Sequence, residues 1–480
     1  MTIPKEAKNI IEKLQKAGFE AYIVGGCVRD FLMEIEPNDW DVTTNAKPEE
    51  IQKIFPDSFY ENKFLTVTAR TGSEKIPEIE ITTYRFEAKY SDKRHPDQVK
   101  YAEKLEEDLS RRDFTINALA MDLKKKVIDL FDGQKDLKNK IIRTVGRPED
   151  RFNEDALRML RAVRFATTLN FEIEEKTAEA IKKNSIWLEA ISKERIRDEF
   201  VKIIMAEKAA DGIELLRELG LLKYIVPELL ENYGVAQSKH HKFDCYQHAI
   251  KSLEYAAKKK FNMHVRLAAL LHDIAKPKVK SGEGDAAIFY NHEIVGAKMA
   301  FQILNNLKFS KKDCDKITKL VRFHLFYYNV DEVGEASVRR LVKNVGPENM
   351  EELLQVRQAD RIGSGVPKAE PYKLRHLKYL IEKVSKDPIS AKMLKVNGED
   401  IMKILEIKPG PKIGQILDVL LGLVLDNPKN NNKAFLEKEV AKLGKLSDKE
   451  LQELAEKSKE EKSEIETKND QMTKQKYWVT

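Results

Sequence analysis

The segment YIVGGCVRDFLMEIEPNDWDVTT, residues 22–44, decides the fold class of the chain. An apolar run at 22–24 leads into Gly25-Gly26, a stretch with helical spacing follows, and a second strand begins near Asp39. This order of strand, turn, helix and strand predicts an α/β arrangement. Paired glycines let backbone amides approach a phosphate, and a helix N-terminus favours negative charge. Such a turn is also common without any phosphate, so it indicates a site only together with its neighbours.

Two carboxylates follow the glycine turn. Asp39 and Asp41 are two residues apart, so in a strand both point to one side and Trp40 points to the other. Like charges this close repel unless a cation lies between them, and Mg²⁺ in a phosphate-transferring site is the usual solution. A third candidate carboxylate is Glu80 in the alternating strand EIEITTYR at 78–85, where an exposed edge glutamate is the alternative.

The rest of the chain is organised into a mixed N-terminal part and a helical remainder. Short β-branched runs alternate with helical stretches up to about residue 145, and amphipathic helical spacing dominates afterwards. We therefore predict an α+β protein whose α/β head precedes an all-helical neck, body and tail, with a turn-rich linker, GSGVPKAEP, at 363–371. The predicted parts are a head at 1–145, a neck at 146–210, a body at 211–365, a tail at 366–456 and a disordered, charged end at 457–480.

Composition sets the limits on location and partners. With 480 residues, several domains are expected. The 85 basic and 79 acidic residues give a net charge of +6, which permits a nucleic-acid partner without requiring one. The three cysteines form no CxxC pair, no apolar run approaches a membrane span of about 20 residues, and no secretory signal is visible. We expect reduced cysteines, a cytoplasmic location, no membrane and no obligate protein partner.

Six motifs, taken in order, carry a resemblance to a known family. The series resembles the bacterial class II CCA-adding enzymes and their poly(A) polymerase relatives from about residue 20 to 440, which implies a polymerase-β-like head, tRNA as partner, and CTP and ATP as substrates. Leu65, where the family has glycine, departs from the pattern. The motifs are GGCVRD (25–30), DWDVTT (39–44), YSDKRHPDQV (90–99), RRDFTINALAMD (111–122), EDALRMLRAVRFA (154–166) and KERIRDEF (193–200).

The resemblance implies roles for particular residues. Asp39 and Asp41 would bind two Mg²⁺ ions that activate the primer 3′-hydroxyl and stabilise the triphosphate, with Glu80 as a further catalytic candidate. Arginine suits phosphate through its paired donors, and Asn and Asp suit ribose hydroxyls. The implied nucleotide-binding residues are Gly25, Gly26, Arg29 and Asp30 in the phosphate turn, and Arg112, Asp113 and Asn117 at the ribose and triphosphate.

Selection of C and A is assigned to one helical face carrying Glu154, Asp155, Arg158 and Arg161. Cytosine and adenine each present an amine donor beside a ring-nitrogen acceptor, whereas uracil and guanine present the reverse. An ionised Asp only accepts and an Arg only donates, so a fixed Asp155–Arg158 pair would accept CTP and ATP. A surface ion pair is the alternative interpretation.

The extent of addition depends on other segments. The loop between residues 85 and 108, containing Tyr90, Asp92, Arg94 and Pro96, has full length, which favours complete CCA addition over CC-only addition. The segment KPGPKIGQILDVLLGLV at 408–424 resembles the tail that holds the tRNA elbow and argues against open-ended poly(A) synthesis. Addition of CC, of A or of poly(A) remains the alternative.

A second set of residues resembles the HD phosphohydrolase superfamily. Most of the nine histidines lie between positions 240 and 324. Imidazoles with carboxylates suit Mn²⁺, Ni²⁺, Fe or Zn²⁺, and Lys276 is a candidate to stabilise phosphate oxygens. The resemblance implies a phosphohydrolase acting on a phosphomonoester or a 2′,3′-cyclic phosphate of RNA. The candidate ligands are His248, His272, Asp273, His292, His324 and Asp360.

Two further functions stay open at the level of sequence. The chain could be mainly an RNA phosphohydrolase whose N-terminal half only binds RNA, or a non-catalytic tRNA-binding protein. Intact Asp39, Asp41, Asp155 and Arg158 argue against both, because a protein that only binds RNA has no use for a metal pair.

Overall fold

The structure is a computed structural model of the chain, and it describes residues 1–61, 66–88, 98–237, 242–283, 286–385, 391 and 394–479. The predicted departure at Leu65 and the loop residues 90, 92, 94 and 96 lie outside the described residues. Two compact units are present. One comprises Met1–Leu325 with Glu351–Ala369, and the other comprises Phe326–Met350 with Glu370–Thr480.

A seven-stranded sheet forms the centre of the N-terminal head. Its strand order is β3-β4-β5-β2-β1-β8-β9, and β2 and β5 are the parallel neighbours in it. The β6–β7 and β10–β11 pairs form two small sheets. The strands are β1 (Ala21–Val24), β2 (Asp41–Thr44), β3 (Ser58–Glu61), β4 (Thr66–Arg70), β5 (Glu78–Thr83), β6 (Arg85–Ala88), β7 (Gln98–Tyr101), β8 (Leu119–Met121), β9 (Val127–Asp129), β10 (Ile141–Ile142) and β11 (Glu172–Ile173).

Alternation along the strands explains how the head acquires both a core and a site. In β5 the side chains alternate between exposed and buried, so Ile79 and Ile81 enter the core while Glu80 faces out. Trp40 and Val42 enter the same core from the segment around β2. The polar residues between these buried positions therefore project from one surface of the sheet.

Helices make up the rest of the chain, so the predicted α+β fold class is confirmed. None of the described helices is both long and apolar enough to cross a membrane. The helices of the first unit are α1 (Lys5–Lys16), α2 (Gly26–Leu32), α3 (Pro48–Ile54), α4 (Leu105–Ser110), α5 (Gly133–Asn139), α6 (Pro148–Glu154), α7 (Leu157–Leu169), α8 (Glu175–Asn184), α9 (Lys193–Met205), α10 (Ala209–Glu218), α11 (Pro227–Leu230), α12 (Cys245–Lys258), α13 (Met263–Leu271), α14 (Lys276–Val279), α15 (His292–Asn306), α16 (Lys311–Phe323) and α18 (Met350–Gly363).

The second unit is helical in its described part. A core of aliphatic side chains from α20 to α23 holds it together, including Ile401, Leu420, Leu436 and Leu451. Its helices are α17 (Glu335–Val345), α19 (Tyr372–Ser385), α20 (Gly398–Leu405), α21 (Pro411–Asp426), α22 (Lys433–Leu443) and α23 (Asp448–Lys476).

The prediction of disorder at 457–480 is wrong for most of that segment, because α23 continues to Lys476. Its start is fixed by a capping box in which Ser447 and Glu450 satisfy each other's backbone amides. Leu451 and Ala455 are buried, and lysine–glutamate pairs four residues apart follow along the helix. Docking of the first turns and this charge spacing outweigh the low apolar content that had indicated disorder.

Candidate functional site

The carboxylates of the head lie at the start of β2 and on its parallel neighbour. Asp41 pairs in register with Glu80, so their side chains lie on the same face of the sheet, and Asp39 is exposed just before the strand. Burial and the like charge of Asp39 raise the pKa of Asp41 to about 7, and Glu80 adds to this effect. A bound divalent cation would relieve this repulsion, so the residues fit the Mg²⁺ that the sequence predicts.

The backbone angles of Gly25, in the turn before α2, favour glycine over any other residue. Gly25 has φ 86° and ψ −139°, a region closed to other residues. A Cβ atom there would lie 2.8 Å from Nη1 of Arg112, so that guanidinium crosses directly over the turn. Arg112 also pairs with the fully buried Asp108 at 3.3 Å, which fixes its direction. The turn and Arg112 therefore form one surface, as a triphosphate site requires.

A hydrogen-bond chain joins the two predicted nucleotide-binding motifs. Arg29 pairs with Asp30 at 2.7 Å and donates to Oδ1 of Asn117 at 2.7 Å. The amide of Asn117 donates to Asp113, whose other oxygen accepts from Arg161 at 2.6 Å. Burial opposes ionisation of Asp113, but Arg161 and Asn117 hold its pKa well below the usual value. The structure thus brings together residues that the sequence placed in separate motifs.

Beside this chain lies a cavity of about 280 Å³ with a cationic lining. Five arginines and two aspartates surround it, so it suits an anionic ligand that also offers hydrogen-bonding groups. Its lining residues are Arg111, Arg112, Asp113, Asp155, Leu157, Arg158, Arg161 and Arg195.

Asp155 occupies a break between two helices, which corrects the prediction of one continuous helix there. Helix α6 ends at Glu154, Asp155 is extended at φ −143° and ψ 105°, and α7 begins at Leu157. The Asp155 carboxylate accepts from the backbone amide of Leu157 at 3.0 Å, which caps the new helix. The break places this carboxylate on the cavity wall instead of along a helix surface.

The alternative interpretation, a surface ion pair between Asp155 and Arg158, is wrong, because each side chain has other partners; their joint role in base selection stays a prediction. Asp155 accepts from both terminal nitrogens of Arg195, at 3.2 and 2.7 Å. Arg158 instead donates to Glu154 at 2.5 Å and to the carbonyls of Arg151 and Arg111. The extended backbone of Asp155 directs its carboxylate toward Arg195, although its carbonyl still accepts from the Arg158 amide at 3.0 Å.

Two residues important to this geometry were missed at the level of sequence. Arg195 lies in the KERIRDEF motif, whose residues and spacing indicate no role for a single side chain. Asp108 orients both Arg111 and Arg112, with contacts of 2.7 and 3.3 Å. Neither had a signal of its own, since a charged residue in a helix is usually a solvated one.

The six candidate ligands that resemble the HD phosphohydrolase superfamily lie close together in the first unit. Oδ2 of Asp273 lies 3.2 Å from Nε2 of His248 and 3.3 Å from Nε2 of His272, and the two imidazole nitrogens are 2.8 Å apart. Asp360 approaches the same pair at 3.4 and 3.7 Å. On the other side, Oδ1 of Asp273 faces His292 and His324 at 3.4 and 3.6 Å.

The same type of hydrogen bond to the backbone fixes the orientation of three of these imidazoles. In His272, His292 and His324, Nδ1 donates to the carbonyl three residues earlier, at 2.7 to 2.8 Å. Each Nε2 lone pair is therefore left facing the cluster, as metal coordination requires. Two groups of three ligand atoms, each within 4.8 Å, share Asp273. The donor set fits one or two transition-metal ions, and Asp273 belongs to both groups of candidate ligands.

Lys276, the candidate to stabilise phosphate oxygens, lines the cavity over the cluster and is held there by two side chains. Its ammonium group contacts Asp273 and Oε1 of Gln237, both at 2.6 Å. It therefore stabilises the buried carboxylate between the histidine pairs. Burial opposes ionisation of Asp273, but His272 and Lys276 hold its pKa well below the usual range.

Comparison with known domains defines the class of the protein first. A family described as the poly A polymerase head domain matches residues 21–143, and one described as a probable RNA- and SrmB-binding site of polymerase A matches 170–232. A family described as a putative tRNA nucleotidyltransferase domain 2 matches 282–440. The chain is thus built from domains of the tRNA nucleotidyltransferases and poly(A) polymerases.

Full-length relatives narrow this class to one family. The CCA-adding enzyme of Ligilactobacillus salivarius is 37% identical over 450 residues, covering 91% of this chain and 98% of the relative. The CCA-adding enzyme of Lactobacillus delbrueckii subsp. bulgaricus is 35% identical over 435 residues, covering 90% and 96%. The chain belongs to the CCA-adding enzyme family. A solved structure, the Bacillus stearothermophilus CCA-adding enzyme in complex with CTP, is 27% identical with a TM-score of 0.60, covering 92% of this chain and 98% of that one.

Proposed function

We propose that this chain adds CCA to the 3′ end of tRNA, with CTP and ATP as substrates. The proposal is supported by one observation. A chain of this family has both the carboxylates of Asp39, Asp41 and Glu80 and a cavity lined by arginines. The solved relative was crystallised with CTP, and another solved member of the fold with tRNA. A protein that only binds RNA would need no acidic cluster beside its phosphate-binding arginines.

In this proposal Asp39 and Asp41 would hold Mg²⁺, which would supply activation of the primer hydroxyl and neutralise charge on the triphosphate. The protein itself supplies the positioning. Gly25 leaves room for the Arg112 guanidinium to lie over the turn, where it can donate to a phosphate, and Arg161 and Asn117 hold Asp113 ready to accept from a ribose hydroxyl. Glu80 adds negative charge that favours cation binding.

Base selection is assigned to Asp155 and Arg158, each held by a different partner. Asp155 offers a carboxylate oxygen to the amine of cytosine or adenine, and Arg158 offers an N–H to the ring nitrogen. Uracil and guanine place an acceptor against Asp155 and a donor against Arg158, and both contacts are unfavourable. The neck at 146–210 would thus read the base, the head would perform transfer, and the tail at 366–456 would hold tRNA.

The test is incubation with tRNA lacking its 3′ end, Mg²⁺, and labelled CTP or ATP supplied separately and together. Incorporation of two C and one A supports full CCA addition. Incorporation of C alone, of A alone or of a long A tract would identify a CC-adding enzyme, an A-adding enzyme or a poly(A) polymerase. Asp41→Asn should abolish incorporation. Asp30→Asn is the control, because it removes a carboxylate that is not a proposed metal ligand, and this variant should retain part of the incorporation.

We also propose a second, phosphohydrolase activity at the His–Asp cluster, because six candidate ligand residues, which lie in or just after five helices, converge there. A bound transition metal would supply a hydroxide at neutral pH. In the reaction a water oxygen bonds to phosphorus, the ester P–O bond breaks, and the released alcohol takes up a proton. His272→Ala should remove metal and hydrolysis of a 2′,3′-cyclic phosphate together, while nucleotide incorporation continues. Equal hydrolysis by the variant and the wild type would contradict the assignment.

A further inference from the structure

A cavity of about 530 Å³ opens over the His–Asp cluster, and its volume suits a ligand larger than phosphate alone. Its floor is formed by the cluster residues Asp273, His292, His324 and Asp360. Besides this floor, the lining has an apolar and aromatic part and a cationic part, which contains two guanidinium groups and the Lys276 ammonium group. A ligand that fills the cavity therefore combines an anionic group with an apolar, flat one.

The cationic side offers one arginine with donors to spare. Arg357 is committed to Asp360, with Nη1 donating to Oδ2 at 2.6 Å. Arg361 makes a long contact of 3.5 Å to the carbonyl of Lys368, and its buried Nε has no hydrogen-bond partner among the described residues. The Arg361 guanidinium lines the cavity and pairs with no carboxylate among the described residues, so its terminal N–H groups can donate to an acceptor in the cavity. A non-bridging phosphate oxygen is the acceptor that matches it best.

The apolar side of the cavity includes three large hydrophobic side chains that are exposed to solvent. Tyr290 is 74% exposed, and Ile288 and Leu325 beside it in the lining are 43% and 50% exposed. Tyr290 and Ile288 lie in the segment just before α15, the helix that begins with His292. The aromatic ring is therefore two residues away from a cluster ligand. A nucleobase stacked on such a ring would leave its phosphate within reach of the cluster.

We propose that Tyr290 and Arg361 determine the substrate specificity of the His–Asp site, which takes a nucleotide whose base lies on Tyr290 and whose phosphate oxygen accepts from Arg361. The inference rests on the proposed phosphohydrolase function. The nucleotide is either free or the last residue of an RNA chain, since both present the same base, ribose and phosphate. Phosphates without a base would bind through Arg361 and the cluster alone.

The experiment compares three substrates with the metal-loaded, full-length protein. They are adenosine 5′-monophosphate, ribose 5-phosphate as the matched compound without a base, and an oligoribonucleotide ending in a 2′,3′-cyclic phosphate. Comparison of the first and third separates a free nucleotide from an RNA end. The variants are Tyr290→Ala, Tyr290→Phe and Arg361→Ala, with Tyr327→Ala as control, because Tyr327 is equally exposed but lies outside the cavity lining.

Tyr290→Ala should lower kcat/KM for the substrates that carry a base by roughly fivefold or more, chiefly through KM, and leave ribose 5-phosphate unchanged. Tyr290→Phe should behave like the wild type, since the ring is retained. Arg361→Ala should lower kcat/KM at least about tenfold for all three substrates, at unchanged metal content. Tyr327→Ala should change nothing.

The outcomes separate this inference from the function on which it rests. Suppose that the wild type hydrolyses these substrates. If Tyr290→Ala then keeps the wild-type kcat/KM, or loses as much kcat/KM on ribose 5-phosphate as on the substrates with a base, the role of Tyr290 is overturned and the hydrolase remains. Arg361→Ala with wild-type kinetics overturns the role of Arg361 in the same way. A metal-loaded wild type that hydrolyses none of the three substrates refutes both the hydrolase and the specificity proposal.

Discussion

Replacement of Arg195 by alanine tests how the carboxylate of Asp155 is held for base selection. The pair consists of two charge-assisted hydrogen bonds, at 3.2 and 2.7 Å, between side chains that are 27% and 19% exposed. A hydrogen bond to a charged group contributes about 1.5–3 kcal/mol. Asp155 keeps its contact to the Leu157 amide, so the carboxylate loses direction without being released. We therefore expect a cost of about 2 kcal/mol in transition-state binding, or roughly 30-fold in kcat/KM for CTP and ATP.

The assay measures single-nucleotide incorporation into truncated tRNA, with kcat and KM obtained separately for CTP, ATP and UTP. Arg195→Ala should reduce the preference for CTP over UTP as well as the rate, because the misplaced carboxylate rejects uracil less well. Arg195→Lys should give an intermediate result, since an ammonium group cannot donate in a planar fork. Arg197→Ala is the matched control, because Arg197 lies on the same helix and pairs with the adjacent Asp198.

Thermal unfolding of each variant shows whether the fold is retained. A folded Arg195→Ala variant that keeps wild-type kcat/KM for CTP and full discrimination against UTP would refute the positioning role. An equal loss in Arg197→Ala would also refute it, because the effect would then follow the charge of the helix and not the contact with Asp155.

Gly25→Ala should cost about 1–3 kcal/mol of stability and impair triphosphate binding, because its φ is positive and the new Cβ would displace Arg112. Gly26→Ala should unfold at nearly the wild-type temperature, since its Cβ meets nothing closer than 3.6 Å, and equal melting temperatures of the two variants would contradict this. Gly363→Ala should lower stability by about 1–3 kcal/mol and reduce the metal content of the His–Asp cluster, because its Cβ would lie 2.8 Å from the carbonyl of His248. Retained metal, measured by elemental analysis, would count against that displacement.

The sequence was most informative where side-chain periodicity and chemistry agree. Alternation alone predicts that Glu80 faces away from Ile79 and Ile81, and β5 has this pattern. The order of the motifs predicts the α+β class. The strand register that places Asp41 beside Glu80 could not be predicted from the sequence, because a parallel pairing between distant strands depends on the whole sheet.

The departures arise where tertiary contacts compete with local spacing. Helical spacing around Asp155 is regular, but its side chain bonds the Leu157 amide and breaks the helix. The charged end appeared too poor in apolar residues to fold, yet Leu451 and Ala455 dock its first turns and the rest of the helix propagates from there. Both outcomes depend on partners that a one-dimensional pattern does not show.

The partners found for Asp155 and Arg158 favour base selection more than a direct ion pair between the two side chains would. A carboxylate has about four acceptor positions and a guanidinium five donors. Asp155 uses three acceptor positions on Arg195 and Leu157, and Arg158 uses three donors on Glu154 and two carbonyls. About one acceptor position and two donors therefore remain for a base. A direct bridge between the two side chains would have joined the carboxylate and the guanidinium to each other, so that neither faced the incoming cytosine or adenine.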